Sequence, residues 1–199
     1  YEYTIYNVKL DEYNRPEIGS DGYFKTRDFR LPKPKTFEEF QESMKTKIDK
    51  FEEPFFTTFF SLTSHEPFKV PLEYKDVFPV GNVQMHEFIG YSDNALREFF
   101  NSSKNQPWFK NTLFVITADH TSSEPTDEKF KTNVGKFRVP ILFFDPSNPE
   151  MIGKNYKNLQ QIDIMPSILD YLNIESKMIT YGKSYQSDKD FVVYYLDYF

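Results

Sequence analysis

Residues 111–121 read Asn111-Thr-Leu-Phe-Val-Ile-Thr-Ala-Asp-His-Thr121. Leu113 to Ile116 is a continuous apolar, β-favouring run, the pattern of a strand buried on both faces as in a parallel sheet. Asp119 and His120 stand at its carboxyl end, followed by the polar loop Thr121-Ser-Ser-Glu124. Ligand sites in open α/β sheets lie beyond the carboxyl ends of strands. Successive strand residues point to opposite faces, so these two side chains converge only where the strand gives way to a loop. A hard carboxylate beside a borderline imidazole suits Mn²⁺, Zn²⁺ or a similar divalent ion. The same residues also read as a plain polar turn, with Asp119 accepting backbone N–H groups and His120 exposed. Two residues alone do not separate the readings.

Outward from this strand, the neighbouring segments set the fold class. Thr36 is a predicted N-cap with Glu39 as its capping-box partner. Phe37, Phe40, Met44, Ile48 and Phe51 follow at helical spacing, which predicts an amphipathic helix over 37–51. Phe55-Phe-Thr-Thr-Phe-Phe-Ser-Leu62 is a second predicted buried strand, running into Thr63-Ser-His-Glu-Pro-Phe68. His65 therefore follows a strand as Asp119 and His120 do, and a shared sheet edge would gather all three. The longest helical pattern is 83–105, with Met85, Phe88, Ile89, Leu96, Phe99 and Phe100 as its apolar face. His86 on this helix reads as a partly buried structural histidine. A strand–helix–strand unit of right-handed parallel type results.

After a charged loop to Lys136, Val139-Pro-Ile-Leu-Phe-Phe144 is a third buried strand. Asn158 to Asn173 is helical, its regular part starting near Asp163, which is placed to cap it ahead of Pro166. Phe191 to Leu196 is a last strand. Residues 1–10 alternate loosely as a strand would, within a region 1–35 that otherwise reads as irregular loop: Pro16, Gly19, Gly22, Pro32 and Pro34 punctuate it. Arg27 and Arg30 in that region are cations available to an anionic group. The expected architecture is α/β, a doubly wound, mostly parallel sheet with helices on both faces and the body at 36–199.

Composition narrows the functions. The 199 residues suit one domain or a large piece of one. A net charge of −6 and a pI near 5.2 argue against nucleic acid as a partner. An anionic substrate must then be held locally, by a metal or a few cations. With no cysteine, thiolate metal sites and disulfides are excluded. No apolar run approaches the roughly 18 residues of a membrane span. The opening Tyr1-Glu-Tyr-Thr lacks an initiator Met and a signal peptide, which reads as a fragment cut from a longer protein. Aromatics make up 19 %, and so many serve core and strand filling before any recognition surface.

Several segments together resemble one family. Phe55–Phe68 is similar to its strand followed by Ser-x-His-x-Pro-Phe. Pro107-Trp-Phe-Lys-Asn-Thr112 and Phe114–Thr121 resemble its Pro-Trp-Tyr-x-Asn-Thr, strand, Asp-His-Thr block. Phe137-Arg-Val-Pro-Ile141, Gln161-Ile-Asp-Ile-Met-Pro-Ser-Ile-Leu169 and Tyr181-Gly-Lys-Ser184 resemble its later elements. The family is the sulfatase branch of the alkaline phosphatase superfamily, nearest to lipoteichoic-acid synthase and related phosphoglycerol transferases.

The resemblance implies metal-dependent transfer or hydrolysis of a phosphate or sulfate ester, the substrate being a phosphoglycerol lipid or a glycan ester. It matches Asp119 and His120 to metal ligands and His65 to a substrate contact, with Arg27 a weaker match to a second. One divalent ion is implied, Mn²⁺ first, with Zn²⁺, Mg²⁺ or Ca²⁺ as alternatives. The family's nucleophile and its remaining acidic ligand match nothing in 1–54. The chain is therefore expected to be the C-terminal part of the domain, inactive by itself, with the N-terminal half of the same domain as its partner. The implied location is the extracytoplasmic face of the cell membrane, the anchor lying outside this chain. The competing expectation is a noncatalytic module that keeps the fold and binds glycan or polymer.

Overall fold

The computed structural model describes residues 4–8, 26–30, 37–60, 70–123, 125–189 and 191–192. They fall into two compact units, Tyr1–Lys110 and Asn111–Phe199.

In the first unit, β1 (Thr4–Val8) pairs antiparallel with β2 (Thr26–Arg30) on one side and with β3 (Phe56–Phe59) on the other. Strand β1 lies within the alternating segment 1–10, while β2 is a strand where 11–35 was expected to be irregular loop. Arg27 sits within β2, opposite Asn7 in register. The strand expected over 55–62 is shorter and belongs to this antiparallel sheet, and Phe56, Phe59 and Phe60 are exposed rather than buried.

Helix α1 (Phe37–Ile48) buries Met44 and Ile48, one turn apart on one face. It stops three residues before the expected end at Phe51, whose amide turns back to the carbonyl of Ile48 at 2.9 Å. Lys45 and Lys47 in the last turn complement the helix dipole. Helix α2 (Gln84–Ser103) buries Phe88 and Tyr91. Ile89 and Leu96, assigned to its apolar face from spacing, are exposed. The buried face runs instead through Tyr91, whose ring meets Tyr74 at 5.2 Å and both Phe78 and Phe88 at 6.0 Å. Gly90 lets Phe78 approach, since a Cβ there would sit 2.9 Å from that of Phe78. Trp108 closes the unit, buried, donating from Nε1 to Asp49 Oδ1 at 2.8 Å.

In the second unit, β4 (Phe114–Thr117) pairs with β5 (Ile141–Phe144). The pairing is antiparallel, Phe114 opposite Phe144 and Thr117 opposite Ile141, with the two phenyl rings stacked at 5.9 Å. The expectation of a mostly parallel sheet is not met among the described strands. A parallel pair needs a long crossover, usually helical. The described residues of 118–140 supply loop and short 3₁₀ turns.

Helix α3 (Ile164–Tyr171) follows a 3₁₀ turn at Gln161–Asp163. Asp163 does not cap it through its side chain, contrary to expectation. The carboxylate, 3 % exposed, accepts from the amides of Gln160 at 2.7 Å and Lys183 at 2.8 Å. Those bonds tie the segment 181–185 to the start of α3. Gly182 passes so close that a Cβ would lie 2.0 Å from the carbonyl oxygen of Ile162. Ser167, fully buried, accepts from the amide of Tyr185 at 2.9 Å, and Ser184 donates to Asp170. Lys183 is buried too, its Nζ donating to the carbonyl of Phe191 at 2.6 Å. The strand expected over 191–196 begins with Phe191 and Val192, which are not strand; the rest lies outside the described residues.

Candidate functional site

Strand β4 ends at Thr117, and the chain bends at Asp119 and His120. Both side chains are exposed, 57 % for Asp119 and 78 % for His120, and they face each other, Oδ2 to Nε2 at 3.5 Å. The other carboxylate oxygen of Asp119 accepts from the amide of His120 at 2.9 Å. The Nδ1 of His120 lies 2.7 Å from the carbonyl oxygen of Thr121. A carbonyl only accepts, so the ring hydrogen belongs on Nδ1 and, in the neutral ring, the lone pair is on Nε2. Metal-binding imidazoles are oriented in this way, the distal N–H fixed by a carbonyl. A hard oxygen and an imidazole nitrogen 3.5 Å apart on one side of a loop fit a single divalent ion as two of its ligands. Among the described residues no three His, Asp or Glu side chains gather as a metal site.

The backbone under these side chains is held from three directions. Thr117 Oγ1 donates to the carbonyl of Pro140 at 3.0 Å, and Thr121 Oγ1 to that of Lys136 at 2.5 Å. Gln161 Nε2 reaches the carbonyls of Ala118 at 2.7 Å and Asp119 at 2.9 Å. Sequence reading assigned no role to any of the three. The only available signal was hydroxyl and amide side chains clustered around the Asp-His pair and at the start of the following helix.

Because β4 and β5 run antiparallel, Asp145 just after β5 lies at the opposite end of the ribbon from Asp119. Burial pushes its carboxyl up, but bonds from Ser147, Tyr171 and the Ser147 and Asn148 amides outweigh this and hold it below its ordinary 3.8. Tyr171 donates to Asp145 at 2.7 Å. The Asn148 amide pulls the Tyr171 phenol down, while burial and Asp145 prevail and raise it. This cluster fastens a loop and is separate from the Asp119–His120 pair.

His65 lies outside the described residues, and Arg27 is placed only as part of β2. His86 is half-buried over Gly81, where an added Cβ would meet its Nδ1 at 1.8 Å, in keeping with a structural histidine. A cleft of about 290 Å³ in the first unit is lined by Ile48, Asp49, Phe51, Phe55 and Trp108 among others.

A model of the Sulfatase family matches residues 7–174. The chain is similar to the lipoteichoic acid synthase-like YvgJ of Bacillus subtilis strain 168, 25 % identical over 80 % of this chain and 30 % of the relative. It is similar to lipoteichoic acid synthase 1 of the same organism, 28 % identical over 72 % of this chain and 25 % of the relative. Lipoteichoic acid synthase of Staphylococcus aureus strain USA300 is 28 % identical over 64 % of this chain and 22 % of its own length. The chain thus spans less than a third of each of these relatives. No solved structure matches it.

Proposed function

The chain belongs to the Sulfatase family, and from that premise we propose that it is part of a metal-dependent phosphoglycerol transferase or ester hydrolase acting on phosphate or sulfate esters. The observation that carries the proposal is the pair at the end of β4: Asp119 Oδ2 and His120 Nε2 face each other at 3.5 Å, with Nδ1 turned to the carbonyl of Thr121. Asp119 supplies the anionic oxygen ligand and His120 the neutral nitrogen ligand of one divalent ion, Mn²⁺ first, with Zn²⁺, Mg²⁺ or Ca²⁺ as alternatives. Such an ion, when bound, supplies Lewis-acid polarisation of an ester oxygen. His65 and Arg27 complete the proposal as cationic or hydrogen-bonding contacts to the anionic ester. No residue of this chain is assigned as nucleophile.

The proposed setting is the C-terminal part of a larger, doubly wound catalytic domain, to which an N-terminal half brings the remaining ligands. The proposed location is the extracytoplasmic face of the membrane, with a phosphoglycerol lipid or glycan ester as substrate. Among the described residues no helix is long and apolar enough to cross a membrane. Two ligands alone hold a metal poorly, so residues 1–199 by themselves should bind Mn²⁺ only weakly. The test is an assay of the full-length protein on aryl phosphate, aryl sulfate and phosphoglycerol lipid, with and without Mn²⁺. Turnover of one ester class that needs the metal and is lost in Asp119→Ala supports the reading. Turnover indifferent to Asp119→Ala overturns it.

A further inference from the structure

The Asp119–His120 pair is exposed, yet its backbone is tied by a residue distant in sequence. Gln161, in the 3₁₀ turn that leads into α3, sends one amide nitrogen to two successive carbonyls, those of Ala118 and Asp119. Both acceptors are carbonyl oxygens, so the side-chain nitrogen and not its oxygen must face them. The turn is itself anchored, because its third residue is the buried Asp163 that accepts from the amides of Gln160 and Lys183. The segment at Lys183 is thus bonded to Asp163, the short 3₁₀ turn joins Asp163 to Gln161 through the backbone, and Gln161 is bonded to the peptide carrying the candidate ligands.

We infer that Gln161 is a positioning residue for the Asp119–His120 loop, setting the direction in which the carboxylate and imidazole present themselves to a divalent cation. This rests on the metal-site reading above. The physical reason is preorganisation. Exposed ligands on a free loop lose conformational freedom when they bind, whereas ligands on a fixed backbone have already lost it. Thr117 and Thr121 hold the two flanks of the loop, Thr117 also donating to the adjacent carbonyl of Ala118 at 3.1 Å, and Gln161 reaches the carbonyls of both Ala118 and Asp119 from another element of the unit. Gln161 is exposed, so replacing it opens no core.

The experiment uses the full-length protein with Gln161→Met, which keeps the length and removes the donor, and Gln161→Glu, which keeps the shape and removes the donor. Gln161→Lys restores a donor on a stem of similar reach. Two readouts are taken: calorimetric titration with Mn²⁺, and amide exchange at His120 and Thr121 without metal. The expected result is Mn²⁺ binding weakened by about tenfold in the Met and Glu variants, partly recovered in the Lys variant. Exchange at 120–121 should rise by roughly fivefold, with exchange in α3 and at 183–185 unchanged. If wild-type binding depends on Asp119 but the Met and Glu variants titrate like wild type, the inference is overturned and the site reading stands. Exchange rising equally through α3 and 183–185 also overturns it, since Gln161 is then merely structural. If wild-type binding is indifferent to Asp119→Ala, the site reading falls and the inference falls with it.

Discussion

The two units hold themselves together by different means. Among the described residues up to Lys110 the buried side chains are apolar and aromatic, Met44 and Ile48 from α1, Phe88 and Tyr91 from α2, and the pair Trp108–Phe109, with Ser103 at the end of α2 as the polar exception. Among the described residues from Asn111 onward the buried side chains are polar, namely Asp163, Ser167 and Lys183, while Leu142, Met165 and Leu172 are exposed. Apolar burial is non-directional and tolerates loose geometry. Buried carboxylates and hydroxyls persist only where donors and acceptors meet at set distances, so they fix which loop lies against which. The unit with the polar interior is the one that carries the Asp119–His120 loop, where direction matters more than bulk stability.

The sharpest way to break this contrast is to delete on each side what is claimed to hold it. Phe88, 2 % exposed, should cost about 3–5 kcal/mol as Phe88→Ala, read as a fall in the denaturant midpoint of the α2 amides. Asp163→Ala strands the amides of Gln160 and Lys183 and should cost about 2–4 kcal/mol, read at the amides of α3 and 183–185. Trp108→Phe loses the bond to Asp49 with some packing and should cost about 1–2 kcal/mol by the same measurement in the first unit. Leu142→Ala, at an exposed position, should cost less than about 1 kcal/mol. A Leu142→Ala loss as large as that of Asp163→Ala would erase the contrast.

The smallest expected effect is a pH dependence. Asp145 has a folded-state pKa held below its ordinary 3.8, so the unfolded chain takes up a proton first as acid is added. Its contribution is fully present above 3.8 and fades as pH falls through the lower folded value. The stability of the second unit should therefore fall on the acid side of that range, and Asp145→Asn should flatten this limb. A limb equally steep in the variant would assign the acid sensitivity elsewhere.

Much of the local structure was legible in the sequence, and the pairing was not. Helical spacing located α1 and α2 because a buried stripe repeats every turn, and the apolar runs located β4 and β5 because both faces are half-covered. Apolar runs do not encode direction, so parallel was inferred where the strands are antiparallel. Ile89 and Leu96 fit the helical period but lie outside the buried face, which Tyr91 and its aromatic neighbours define. Asp163 was read as a helix cap from its position ahead of α3, while its partners were set by the return of residues 181–185, a contact no local pattern encodes. The Asp119–His120 pair was legible as residues at a strand end. The orientation of the ring, set by the carbonyl of Thr121, and the hold of Gln161 on the loop emerged only from the fold.

The central claim is that Asp119 and His120 hold one divalent ion for ester chemistry. Calorimetric titration of Mn²⁺ into the full-length protein, beside its Asp119→Ala and His120→Ala variants, tests it most directly. The account predicts stoichiometric binding in the wild type and a loss of about 100-fold or more in each variant. Equal affinity in all three proteins would contradict it.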